Sequence, residues 1–357
     1  MRVLALAVLA LAVAALPAQA AKPKRENLSL LARTLVKAGA PGAVVYVRTP
    51  TATRSGAAGF ADVGAHVTMR AADHYRIASV SKAFVSVVVL QLEAEGKLDI
   101  DDPVEKWLPG LVPNGAAISL RQLMNHTSGL FDYTADEAFG ESILSNPSRV
   151  WAPRELLSFG LMHAPRFAPG TNWEYSNTNY IVLGLVAEAV ARKPLAESFQ
   201  ERIFGPLGLT STSFPRDIAR DAAVVHGYVN LGGGSLVDVA PLLSPTYAWA
   251  AGGIVSNARD VSAFYRGLFT GKLLRPVQLA EMKAAAQYSG TYGLGIEFEV
   301  TKCGRAYGHN GSIPGWRNEA LTTANGKRQA VVMVNVDESR VAWTRISAFA
   351  ERALCRG

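Results

Sequence analysis

Arg76-Ile77-Ala78-Ser79-Val80-Ser81-Lys82-Ala83-Phe84 reads as a polar turn entering a long apolar helix, and its centre is Ser79-x-x-Lys82. Residues three apart on a helix share a face, with Cβ atoms roughly 5 to 6 Å apart, so the lysine amine can reach the serine hydroxyl. A serine hydroxyl is a weak nucleophile at neutral pH. It needs an adjacent base and a place for the negative charge that develops during attack. The first turn of a helix supplies unpaired N–H groups and a positive dipole end. A Ser-x-x-Lys also arises by chance in a chain with this many serines and lysines, so the motif carries chemistry only in company. Residues 80–95 are apolar nearly all round up to Gly96, the pattern of a buried central helix.

Working outward, residues 27–38 have helical spacing of Leu28, Leu31, Leu35 and Val36, ended by Gly39 and Pro41-Gly42. Residues 43–48 and 53–60 read as two strands of a hairpin. From 101 to about 275 the pattern is helical, over 120–125, 154–163, 179–191, 195–203 and 257–269, with Pro- and Gly-marked loops between. Asn257 with Asp260 three residues on suits an N-cap. Strands return at 293–300, 305–309, 318–323 and 329–336, before a closing helix over 340–354. No internal repeat or low-complexity segment interrupts this order. An α/β fold follows: a discontinuous sheet-containing lobe from 26–75 and 285–357, a mostly helical lobe inserted over 76–284, and a site between them.

A chain of 357 residues with 49% hydrophobic content can bury a large core. Met1-Arg2, the apolar run 3–16 and Ala18-Gln19-Ala20 match a signal peptide over residues 1–20, and the run is short for a membrane span. The expectation is a protein exported to the periplasm or medium, without stable membrane insertion after cleavage. In that oxidising setting Cys303 and Cys355 are expected to pair, closing a loop worth roughly 4 kcal/mol of chain entropy. Six histidines without zinc-ligand spacing, and two distant cysteines, imply no metal and no cofactor. The formal charge of +7 is dispersed apart from Lys22 to Arg25, which suits an anionic cell-envelope polymer better than a nucleic acid.

Two further motifs give Ser79-x-x-Lys82 its company. Tyr175-Ser176-Asn177 lies in a turn-rich loop before a helix, and His309-Asn310-Gly311 ends an expected strand. Tyr-x-Asn alone is weak, since Tyr228-Val229-Asn230 matches it too. With Leu123 to Leu130 and Ala251 to Ser256, the three motifs in this order resemble the penicillin-recognising serine hydrolases: DD-peptidases, class C-type β-lactamases and related esterases. The likeness covers nearly all of residues 26–357 and is nearest to the secreted D-alanyl-D-alanine carboxypeptidases. It implies the β-lactamase/transpeptidase-like fold, an antiparallel sheet flanked by N- and C-terminal helices, and a Cys303–Cys355 pair.

On matching positions, the resemblance implies that Ser79 attacks the carbonyl to form an acyl-enzyme while Lys82 takes its proton. A free lysine, with a pKa of about 10.4, must be shifted down for that role. Tyr175 would protonate the leaving group, Asn177 hold the substrate amide, and His309 supply a conditional charge or hydrogen bond near Tyr175. The N–H groups of Ser79 and Ser312 would form the oxyanion hole, with Asn310 and Gly311 beside them. Trp249, Tyr133 and Phe139 are candidate cleft aromatics that could equally be core. His126 reads as a loop brace, and Gly232-Gly233-Gly234 as a hairpin turn. Each catalytic residue has a structural alternative: Tyr175 as packing, Asn177 as a helix cap, His309-Asn310-Gly311 as a turn.

The likeness weakens at Glu297. After Tyr292-Gly293-Leu294-Gly295-Ile296 the carboxypeptidases carry an arginine for the substrate carboxylate, and a glutamate would repel that group. Arg317 or Arg305 is the expected substitute. Asn310 also replaces the usual threonine. The leading expectation is a D-Ala-D-Ala carboxypeptidase-like enzyme acting on a small peptide, with a β-lactamase, carboxylesterase, amidase or D-aminopeptidase as alternatives and an inactive penicillin-binding sensor as the reading from another class. The substrate would accordingly be a peptide, ester or β-lactam.

Overall fold

The computed structural model describes residues 26–218, 224–231, 235–337 and 341–356. The segments read as signal peptide, as the Lys22 to Arg25 cluster and as the Gly232-Gly233-Gly234 turn lie outside these residues, as does the expected start of the last helix at 340.

The described strands are β1 (Gly42–Arg48), β2 (Thr53–Asp62), β3 (Val67–Thr68), β4 (Tyr75–Arg76), β5 (Tyr228–Asn230), β6 (Leu236–Asp238), β7 (Val255–Ser256), β8 (Glu297–Thr301), β9 (Gly304–Ile313), β10 (Trp316–Thr323) and β11 (Gln329–Val334). Seven of them form one antiparallel sheet in the order β3-β2-β1-β11-β10-β9-β8. The interior strands β1 and β11 are apolar at nearly every position, as strands covered on both faces must be. Alternation divides their side chains. Val44, Tyr46, Val331 and Met333 join the large core beneath the helices, while Ala43, Val45, Val332 and Val334 join a second core.

That second core is closed by two amphipathic helices from opposite ends of the chain. Leu28–Lys37, capped by the Asn27 side chain, buries Leu28, Leu31 and Leu35. Trp343–Arg356 buries Ile346, Phe349, Ala350, Ala353 and Leu354. The Cys303–Cys355 disulfide ties the β8–β9 turn to the latter helix. Between β3 and β8 the chain is mostly helical. Its centre is the pair Ser81–Ala94 and Asn177–Ala191, which lack a polar stripe and are buried almost all round. The two-residue ladder of β4 with β7 escaped the sequence reading, being too short for an alternation signal, whereas β5 and β6, on either side of the stretch read as a hairpin turn, do pair antiparallel.

Candidate active site

Ser79 lies in a 3-10 turn, Ala78–Val80, that leads directly into the helix Ser81–Ala94. Its backbone is gripped from three sides. The Ile77 N–H donates to the Ile254 carbonyl at 3.0 Å, the Ser81 hydroxyl accepts from the Ile254 N–H at 3.2 Å, and Asn318 donates to the Arg76 carbonyl at 3.0 Å. Ala78 is held at φ 50°, a left-handed conformation that costs a non-glycine residue about 1 kcal/mol or more. Gly311 in β9 sits against this turn: a Cβ there would meet the Ile77 carbonyl oxygen at 2.3 Å. The strand approaches so closely because this residue has no side chain. The result is a partly exposed serine on a turn that cannot drift.

Lys82 is fully buried, and its amine makes three contacts: 3.0 Å to Ser79 Oγ, 2.8 Å to Asn177 Oδ1 and 2.7 Å to the Ala251 carbonyl. A neutral amine has two protons and one lone pair. Two of the partners are pure acceptors, so donation to them leaves the lone pair facing the Ser79 hydroxyl. Burial lowers the lysine pKa to about 7, with the nearby Asp132 charge opposing the fall. The neutral form is therefore well populated at physiological pH.

Tyr175 lies beside the Lys82 amine, which is 4.8 Å from its ring centroid. Burial pushes its phenol well above the usual range, partly offset by the nearby Ser79 hydroxyl. It consequently holds its proton at neutral pH, whereas the Lys82 amine can take one up. Asn177 begins the helix Asn177–Ala191, with both ends of its amide engaged. While Oδ1 accepts from Lys82, Nδ2 donates to Asp132 at 2.9 Å and to Thr134 at 3.3 Å. Asp132 is fastened in turn by the Thr134 N–H and hydroxyl, each at 3.0 Å. Asp132, Thr134 and Tyr292 belong to the site although no spacing in the sequence marks them.

His309 stands one layer back. Its Nε2 accepts from the Tyr292 hydroxyl at 2.8 Å, its Nδ1 contacts the Asn310 carbonyl, and its ring centroid is 6.4 Å from that of Tyr175. Burial, helped by the Lys82 charge, lowers its pKa to about 3. The imidazole is neutral at any physiological pH, which corrects the expectation of a conditional positive charge: a cation could not be solvated there.

β8 pairs with β9 only as far as Gly308, so the stretch from His309 to Ile313 has its other edge facing the Ser79 turn, with Ser312 exposed. Asn310 donates to Glu297 at 2.9 Å, and burial raises the Glu297 pKa. Several sequence candidates fall elsewhere. Arg317 is wholly buried, with its guanidinium 4.0 Å from the Trp343 ring centroid and in contact with the Val341 carbonyl under the last helix. Strand alternation sends it to the face opposite Asn318. Arg305 is exposed over Phe298, six residues and roughly 20 Å of strand from Gly311. Neither stands in for the missing carboxylate-binding arginine. Tyr133 and Phe139 are core residues packed edge to face, and Trp249 packs its indole on Gly184. Large aromatic area wins its burial in the helical core before it can serve a cleft.

Residues 25–351 match the beta-lactamase family. The chain belongs to that family. A solved D-stereospecific amidohydrolase from Streptomyces sp. is 35% identical, with a TM-score of 0.80, and the match covers 90% of this chain and 97% of that one. A candidate penicillin-binding protein, PbpX, from Bacillus subtilis (strain 168) is 27% identical over 305 residues, 85% of this chain and 73% of its own length. A D-aminopeptidase from Brucella anthropi is 27% identical over 310 residues; the match covers 84% of this chain but only 56% of that relative. The chain is thus a serine hydrolase of the β-lactamase fold, and its relatives favour the amidase and aminopeptidase alternative over the D-Ala-D-Ala carboxypeptidase expectation. No helix among the described residues is long and apolar enough to cross a membrane.

Proposed function

We propose that this protein is an amidohydrolase that cleaves the amide bond following a D-configured residue with a free α-amino group. The observation that carries the reading is the 3.0 Å contact between Ser79 Oγ and a buried Lys82 amine with a pKa of about 7. Lys82 accepts the hydroxyl proton as Oγ attacks the amide carbon, and the oxyanion forms toward the Ser79 and Ser312 N–H groups. The C–N bond then breaks as Tyr175 gives its phenolic proton to the leaving nitrogen, and the proton held by Lys82 restores the phenol. Water repeats the sequence in reverse, releasing the acid and regenerating the Ser79 hydroxyl.

The choice of substrate rests on charge. Half-buried on β8 stands Glu297, bonded to Asn310, where a carboxypeptidase needs a cation. The two arginines that could have replaced it point elsewhere. An acidic group supports an ammonium and opposes a carboxylate. D-stereospecificity is supported by the amidohydrolase and aminopeptidase relatives. Steady-state kinetics on D-alanine p-nitroanilide, its L-enantiomer, its N-acetyl derivative and a diacyl-D-Ala-D-Ala peptide test the proposal. The free D-amine is expected to have the highest kcat/KM. Faster turnover of the diacyl peptide would overturn the substrate class, and activity surviving Ser79→Ala would overturn the mechanism. The reading of residues 1–20 as an export signal remains a proposal, tested by N-terminal sequencing of protein recovered outside the cytoplasm.

A further inference from the structure

His126 is completely buried, and it holds a left-handed backbone at φ 63° that only a well-braced non-glycine residue sustains. Its contacts converge on the two residues that flank Tyr175. The His126 carbonyl accepts the Glu174 N–H at 3.1 Å, and His126 Nδ1 accepts the Ser176 N–H at 3.2 Å. Asn179 Nδ2 lies 3.2 Å from the same nitrogen, and Asn179 Oδ1 is fastened by the Ser128 hydroxyl at 2.7 Å. The imidazole also lies against the Tyr175 ring, with centroids 4.3 Å apart. On its other sides are Tyr180, Tyr292 and Trp173.

We infer that His126 is a positioning residue, whose backbone oxygen and neutral ring nitrogen together pin the amides on either side of Tyr175 and so aim its phenol at the leaving group. The inference rests on the reading of Tyr175 as the proton donor given above. Two bonds to residues 174 and 176 leave the intervening Cα with little freedom, and the ring contact removes what remains. Nδ1 can accept only if the ring proton is on Nε2. A protonated ring would set an N–H against the Ser176 N–H. Burial, reinforced by the nearby Lys82, keeps the ring neutral, well below the usual imidazole pKa.

This role predicts a leaving-group signature. A p-nitroanilide must have its nitrogen protonated to depart, whereas p-nitrophenolate leaves without help. His126→Phe keeps a ring beside Tyr175 and removes the acceptor; His126→Asn restores an acceptor near the Nδ1 position. In His126→Phe, kcat/KM for D-alanine p-nitroanilide should fall about 30-fold, a part of the roughly hundredfold or more that a general acid supplies. For D-alanine p-nitrophenyl ester it should fall less than about threefold, since the acid is not needed there. His126→Asn should regain most of the anilide rate. An equal loss on both substrates, or an unchanged anilide rate in His126→Phe, overturns the inference. If His126→Phe does not fold, the anilide-to-ester ratio of His126→Asn against His126→Ala decides in the same way. Tyr175→Phe separates the two levels. A changed ratio there with none in the His126 variants defeats only the inference. An unchanged ratio in Tyr175→Phe defeats the reading on which it rests.

Discussion

At the scale of single residues, the decisive balance is at Lys82, where burial favours the neutral amine and the Asp132 charge favours the ammonium. Burial wins. On p-nitrophenyl acetate, which has no group that titrates in this range, the acylation rate should accordingly rise as pH climbs through about 7 and level off above it, seen as a single basic-form titration in kcat/KM between pH 5 and 9. The same shift acts on stability with a definite sign. Between the folded pKa of about 7 and the ordinary lysine value, the unfolded chain binds more protons than the native one, so burial of Lys82 costs most below pH 7 and nothing well above pH 10.5. Lys82→Met should abolish turnover, and the melting temperature of the variant relative to wild type should be highest near pH 6 to 7 and decline toward pH 10. A pH-independent difference in melting temperature would refute the shifted pKa. Asp132 is the partner that sequence left unmarked, because Ser79, Lys82 and Tyr-x-Asn announce themselves by spacing while Asp132 meets Asn177 across 45 residues. Its removal in Asp132→Ala should let the Asn177 amide turn away from Lys82, lowering kcat/KM about tenfold, the low end for a mispositioned catalytic contact. The loss of its cap on Thr134 should cost about 1 kcal/mol as well, read from chemical denaturation. Unchanged kinetics in that variant would mean that Asn177 is held by other contacts.

At the scale of elements, the site depends on how closely β9 lies on the nucleophile turn. The strand was legible only through His309, because Asn310-Gly311 looks like a turn in one dimension; in the fold it continues to Ile313 because the turn carrying Ser79 packs on Gly311. Gly311→Ala sets a methyl against the Ile77 carbonyl and must push strand and turn apart. A displacement of about 1 Å is enough to cost roughly a hundredfold in kcat/KM. An active Gly311→Ala enzyme would mean that the strand can yield without disturbing Ser79. On the opposite face of the same strands, burial raises Glu319 to a pKa of about 8, against the lowering effect of the Ser347 hydroxyl that donates to it at 2.9 Å. The native state then binds more protons than the unfolded chain from about pH 4.5 to 8, so stability is full at the acidic end and falls as pH rises across that window. Glu319→Gln keeps an acceptor for Ser347 and removes the titration. It should match or trail wild type near pH 5 and exceed it near pH 8.5, by an amount on the order of 3 kcal/mol, in parallel urea melts. Parallel pH profiles for the two proteins would show that the carboxylate is stabilised in place.

At the scale of the whole molecule, the sequence disclosed the order of helices and strands and three separated motifs, but not which side chains would face the cleft. Arg317 illustrates the gap: one position along β10 separates a residue facing the Ser79 turn, Asn318, from one buried under the last helix. Alternation is readable within a strand, whereas the face that turns toward the site is decided by what packs on the sheet: the Ser79 turn, from a distant part of the chain, on one side and the last helix on the other. The Cys303–Cys355 link belongs to this scale because it joins the β8–β9 turn to the helix Trp343–Arg356 across a separation of 52 residues. Its stabilising action falls on the unfolded ensemble, whose loop it closes, and for a loop of this size amounts to about 2 to 4 kcal/mol. Ser312 lies nine residues along from Cys303, roughly 30 Å of extended strand, with the β9–β10 ladder between. Cys303→Ala with Cys355→Ala should therefore lower the urea midpoint while kcat/KM at 25 °C stays within about twofold, the outcome expected when a cross-link restricts only the unfolded chain. If activity fell along with stability, the disulfide would instead be holding the catalytic strand in register through the native sheet, and the edge formed by β8 and β9 would have to be too weakly paired to keep its place without it.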